Sequence, residues 1–260
     1  RSSETTLDLS GVQFIAGIDF TFPNETSLAP DGYLLVTRAA TAEQLAAFRA
    51  HYQVEDSLAI FGPYAGALAN EGETLTLNTA ADGTTIFAVD YRNARGWPVQ
   101  AQGAGHSLVP LDDAIAGQGA GWLDYPGNWR ASAFLGGSPG RADPAPPTTL
   151  VLSELVAHTH LSDPLYPAYD SNDWIELHNA GSTELSLAGW YLSDDASQID
   201  KWPLPDLTLP VGAFLIVDEL TGFHAPITSG FGLNHAGEEL FLSHLPDGSE
   251  NRVADAVRFK

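Results

Sequence analysis

The residues best suited to chemistry are His158 and His160, followed by Asp163, Asp170 and Asp173 in a polar stretch. On a strand, positions i and i+2 share a face, so the two imidazoles could hold a divalent metal with a carboxylate completing the set. No known spacing fixes a third ligand, and solvated loop residues account for the set more simply. A second acidic group, Asp194, Asp195 and Asp200, follows Trp190-Tyr191-Leu192-Ser193. Paired carboxylates can act as acid and base in glycoside cleavage or gather Ca²⁺. Adjacent residues on an exposed turn seldom converge on one substrate, so a turn role is the stronger expectation. The metal candidates are therefore His158, His160, Asp163, Asp194, Asp195 and Asp200. No cofactor is expected beyond Ca²⁺.

Other chemistry finds little support. Gly103-Ala104-Gly105-His106-Ser107 lacks the G-x-S-x-G order of a nucleophile turn, and no strand-turn-helix pattern surrounds it. Gly117-Gln118-Gly119-Ala120-Gly121 has neither a preceding strand nor a following helix, so it is not a dinucleotide fingerprint. With no Cys, thiolate metal sites, Cys nucleophiles and disulfides are excluded. No catalytic residue is assigned, and the expected class is non-enzymatic.

Charge narrows the partners. Thirty-three acidic residues against 11 basic ones give a net charge of -22, which repels nucleic acid and anionic membrane surfaces. It suits solubility in a salty or extracellular medium and attracts cations. No 18-residue apolar run is present, so no membrane insertion is expected.

These residues must be held by short strands. Ile175 and Leu177 alternate with Glu176 and His178, Asn179-Ala180-Gly181-Ser182 turns the chain, and Leu185 and Leu187 begin a second strand that runs on to Leu192. Thr74 to Asn78 alternates cleanly and pairs across Asp82-Gly83 with Thr85 to Tyr91. Tyr33-Leu34-Leu35-Val36 is a continuous apolar run of the kind buried in a core. One short helix is expected after Thr41, an N-cap with Gln44 three residues on. Trp97, Trp122 and Trp129 lie in a Gly-rich irregular stretch that should pack down. Trp174, Trp190, Trp202 and Phe214 fit core or rim positions.

The two halves match each other. Leu7 to Val12 lies over Leu185 to Trp190, Phe22-Pro23 over Trp202-Pro203, and Tyr33 to Val36 over Phe214 to Val217. Gly72 to Leu77 lies over Gly237 to Leu242, and Asp82-Gly83 over Asp247-Gly248. Asp173 to Asn179 has no counterpart in the first half.

The order D-W-I-E-L-H-N, L-x-L-x-G-W-Y-L-S-D-D, K-W-P, T-L-P-x-G-A-F-L-I-V, G-E-E-L-F-L and P-D-G-S resembles the lamin-tail domain, an immunoglobulin-like β-sandwich also found in large secreted bacterial proteins. The resemblance spans Leu150 to Phe259 and, from Leu7, the first half; Asn128 to Gly140 looks like the usual end of such a domain. It implies an all-β chain of two immunoglobulin-like sandwiches in tandem, with one short helix in the first. The expected divisions are 1–141 for a first domain without its opening strands, 142–149 for a Pro-rich linker, and 150–260 for a second domain. The chain is then a window on a longer array. The expected function is adhesion, spacing or extracellular assembly at a cell surface or in secreted form, with partners drawn from other domains or copies of the same protein by strand addition. The rival reading is a carbohydrate-binding accessory region, with glycans as partners.

Overall fold

The computed structural model describes residues 4–94, 96–111, 119, 121–157, 173–224, 230–246, 248 and 250–260. Among the described residues the chain is all-β apart from one α-helix and a few short helical turns. No helix among the described residues is long and apolar enough to cross a membrane. Its contacts form two compact units, the first made of Arg1–Pro98, Leu108–Arg130 and Ser138–Asp143, the second of Val99–Ser107, Ala131–Gly137 and Pro144–Lys260.

The first unit contains β1 (Leu7–Asp8), β2 (Gln13–Ala16), β3 (Ile18–Thr21), β4 (Ser27–Leu28), β5 (Leu35–Val36), α1 (Ala42–Tyr52), β6 (Ile60–Phe61), β7 (Ala65–Gly66), β8 (Gly72–Asn78) and β9 (Thr85–Arg92). A short pair, β10 (Leu108–Pro110) and β11 (Trp129–Ala131), follows. Its main sheet has the order β7-β3-β2-β8-β9, while β1 pairs with β4 and β5 pairs in parallel with β6.

Helix α1 forms where the capping signal placed it. Thr41 accepts the Gln44 N–H, the Gln44 side chain accepts the Thr41 N–H, and Gln53 closes the other end in the left-handed region. Leu45, Phe48, Arg49 and Tyr52 form its half-buried stripe. The Trp-rich stretch does pack down: Trp97 and Leu123 are buried with Val89, against Leu75, Phe87, Trp122 and Trp129.

The second unit contains β12 (Leu150–Val156), β13 (Trp174–Asn179), β14 (Leu185–Ser186), β15 (Trp190–Ser193), β16 (Trp202–Pro203), β17 (Thr208–Leu209), β18 (Phe214–Asp218), β19 (Glu238–His244) and β20 (Arg252–Phe259). They form sheets of order β12-β13-β18 and β16-β15-β19-β20, and β14 pairs with β17. One core joins both sheets, with Leu150, Ile175, Leu177 and Val217 from the first and Trp190, Leu192, Leu240 and Leu242 from the second. Asp173 to Leu192 is therefore not a hairpin. Its first strand lies in one sheet, Leu185-Ser186 pairs with Thr208-Leu209, and Trp190 opens a strand of the other sheet.

The same pairings recur in both units. Phe14 lies opposite Leu77 and Gln13 opposite Asn78, as Leu192 lies opposite Leu242 and Tyr191 opposite Ser243. Leu7 pairs with Leu28 as Leu185 pairs with Leu209. Gly11 and Gly189 both turn the chain at positive φ (72° and 76°), a conformation that an L side chain resists.

Division of the chain differs from the expected one. Residues 99–107 and 131–137, expected in the first domain, belong to the second unit. The reason is a second apolar face on β19 and β20. Phe241 and Val253 are buried there with Ala104, against Val99, Ala196, Ile199 and Ala256. This explains why β19 carries four buried residues in a row: its two faces both meet apolar groups.

Candidate functional site

The expected metal ligands do not assemble among the described residues. His158, His160, Asp163 and Asp170 lie outside them. Asp194 is paired with Lys201, its Oδ1 2.5 Å from Nζ. Asp195 accepts the Ser197 N–H at 2.8 Å and its hydroxyl at 2.7 Å, and the Ser197 hydroxyl bond is the leading reason its carboxyl sits below the ordinary range. Ser193 is fully buried, donates its hydroxyl to the Gln198 carbonyl at 2.7 Å and accepts the Asp195 N–H at 2.9 Å. Asp195 thus closes a turn, the role expected from the turn chemistry, and Asp200 is exposed. No group of three or more His, Asp or Glu among the described residues is arranged to hold a metal.

His106 has a structural position that the sequence did not reveal. The ring is buried, Nδ1 lies 2.7 Å from the Ser132 carbonyl, and Nε2 accepts the Val253 N–H at 2.8 Å. Nδ1 therefore carries the proton. Ser132 Oγ lies 3.4 Å from Nδ1 but donates to the Phe134 carbonyl at 2.9 Å. Both ring nitrogens are engaged, so neither is free to take a hydroxyl proton as a general base would.

Asn179 is a second buried polar centre. It is 1% exposed, donates Nδ2 to the carbonyls of Thr183, Leu209 and Pro210, and accepts the Gly181 N–H. One side chain ties the turn after β13 to the end of β17.

The geometry with binding potential lies at two strand edges. In the first unit, Leu35 and Thr37 donate to the carbonyls of Ala59 and Phe61. Alternation turns the Val36 N–H and C=O the opposite way, where no described strand pairs with β5. In the second unit the corresponding residue, Val217, lies opposite Ile175 of β13. A groove of about 480 Å³ is lined by Leu35, Val36 and Arg38 together with Gln44 and Phe48 of α1 and Tyr64.

The core positions register the difference. Leu192, Leu240 and Leu242 are fully buried in the second unit, whereas Phe14, Leu75 and Leu77 at the matching places are half-buried. The Trp97 and Leu123 cluster packs against Leu75.

On β18 the Asn179 N–H bonds to Ala213 O and the Glu219 N–H to Asp173 O, which fixes the phase of the β13 ladder from both ends. Ala213, Leu215 and Val217 direct their backbone groups to β13, and Phe214 and Ile216 direct theirs outward. Their side chains are 56% and 60% exposed, against the core or rim position expected for Phe214. The His178 ring stacks on Phe214, with centroids 4.3 Å apart and planes at 10°. Trp190 and Trp202 are core residues as expected.

Neither site was legible as a motif. An open edge depends on which strand fails to find a neighbour, and that is a property of topology. Comparison of the chain with family models, curated proteins and solved structures returned no match.

Proposed function

We propose that the chain is a non-catalytic interaction module, two lamin-tail-like domains of immunoglobulin-like sandwich type in tandem, and part of a larger secreted or surface-exposed protein. It acts in adhesion, spacing or extracellular assembly by accepting a strand at the free edge of β5. One observation carries this reading: β18 is paired by β13 in the second unit, and the matching edge of β5, at Val36, has no described partner. The half-buried Phe14 and Leu77 and the groove beside β5 supply apolar surface for the incoming side chains. Strand addition recovers main-chain hydrogen bonds that a free edge leaves to water.

The chain itself contains the natural probe. A synthetic peptide with the sequence of Asp173 to Asn179 should bind the full chain saturably, and Val36→Pro, which removes the outward N–H, should abolish that binding. No binding, or equal binding by the variant, would overturn the reading. Retention on a glycan array instead would favour a carbohydrate-binding accessory region.

A further inference from the structure

The edge of β18 is the mirror of the edge at β5. We infer that it is a second strand-addition site, which takes an extended segment of alternating apolar and basic residues from another protein, running parallel to β18. The inference rests on the correspondence of β5 with β18 used above, but concerns the opposite edge. Ile216 corresponds to Leu35, and Leu35 donates to the carbonyl of Ala59, which leads into the parallel neighbour β6. The first unit therefore shows in its own chain what occupies this edge: a short apolar strand, Ile60-Phe61. Among the described residues, the second unit places no strand there.

Apart from the charge of Asp218 at its end, the edge lacks the usual protections. Phe214 to Val217 contains no Pro or Lys, and its pairing with β13 runs without a bulge. By contrast, the first unit blunts β9 by letting the Asp124 carboxylate accept the Asp90 N–H at 2.7 Å. Two large apolar side chains, more than half exposed and adjacent on one face, mark an interaction surface.

Charge selects the occupant. The row beside Ile216 on that face is Glu176 and then Glu154. A lysine or arginine on the added strand can lay its stem over Ile216 and bring its charge toward Glu176. A second copy of this chain, itself at a net charge of -22, is repelled at low salt.

The test uses the full chain and a synthetic peptide that alternates lysine with valine and phenylalanine. The expected result is saturable binding at low ionic strength, weakened at least tenfold by Ile216→Pro and unchanged by Val36→Pro. A peptide with glutamate in place of lysine should not bind. Thermal unfolding checks that Ile216→Pro is folded, and Phe214→Lys with Ile216→Lys, both at exposed positions, gives the same loss with the backbone intact. Equal binding by these variants or by the glutamate peptide would overturn the proposal, as would self-association through this edge. Because Val36→Pro and Ile216→Pro act on different edges, failure here is distinguishable from failure at β5.

Discussion

Val253 of β20 donates its backbone N–H to Nε2 of His106 at 2.8 Å, joining residues 147 positions apart in the sequence. Around this bond, Leu135 donates to Asn251 O and Gly136 to Gly105 O, so two early segments are stitched into the second unit. His106→Ala leaves a buried N–H without an acceptor and opens a cavity, at a cost of about 2–4 kcal/mol. Urea unfolding should show that loss. Unchanged stability would mean that these segments are only loosely attached.

The same packing predicts the fate of a shortened chain. Residues 144–260 alone would expose the faces of Phe241 and Val253, which Ala104 and Val99 now cover. Such a chain should aggregate or bind a hydrophobic dye more than the full chain does; light scattering and dye fluorescence distinguish them.

Asn179 offers a sharper substitution. Asn179→Asp sets a carboxylate against the carbonyls of Leu209 and Pro210, and Asn179→Ala leaves the Gly181 N–H unmatched. Both should destabilise by about 2–4 kcal/mol, with Asp the worse, as read by the midpoint of chemical denaturation.

His244 provides the pH dependence. Burial, then the neighbouring Arg252 guanidinium, holds its imidazole below the ordinary value, against the opposing pull of Glu250. Its ring stacks on Trp190 at 4.6 Å, and Nδ1 has no hydrogen-bond partner. The unfolded chain therefore takes up the proton first as pH falls. The stability linked to His244 is fully present above about pH 6.5 and is lost as pH drops through the lower folded value. His244→Phe keeps the stack and should flatten this part of the melting-temperature profile between about pH 7 and 5. An identical profile would place the titration elsewhere.

Asp194 and Asp195 already have partners in Lys201 and Ser197. Any rise in melting temperature on adding Ca²⁺ or Zn²⁺ should therefore survive Asp194→Asn and Asp195→Asn. Loss of the rise in these variants would move the metal site to this turn.

Local features were legible where one chemical signal decides them. Thr41 and Gln44 announced α1, and Asp82-Gly83 announced the β8–β9 hairpin, because caps and turns depend on residues close in sequence. The repeat of Leu-x-Leu-x-Gly also anticipated two strand pairs with matching register. What could not be read was decided by distant contacts. His106 looked like part of a glycine-rich loop, and only Val253 reveals its role. Phe214 read as a core or rim aromatic, and its 56% exposure was not legible because alternation says which residues share a face, not whether anything covers it. Asp173 to Leu192 read as a strand, a turn and a second strand, and nothing local states that the two strands lie in different sheets.

The most direct test of the central claim is residue-resolved hydrogen exchange along β5, with and without the Asp173 to Asn179 peptide. In the free chain the Leu35 and Thr37 amides, bonded to Ala59 and Phe61, should be protected while the Val36 amide exchanges quickly. Adding the peptide should slow exchange at Val36. A Val36 amide that is protected in the free chain, or one that the peptide leaves unchanged, would contradict the account.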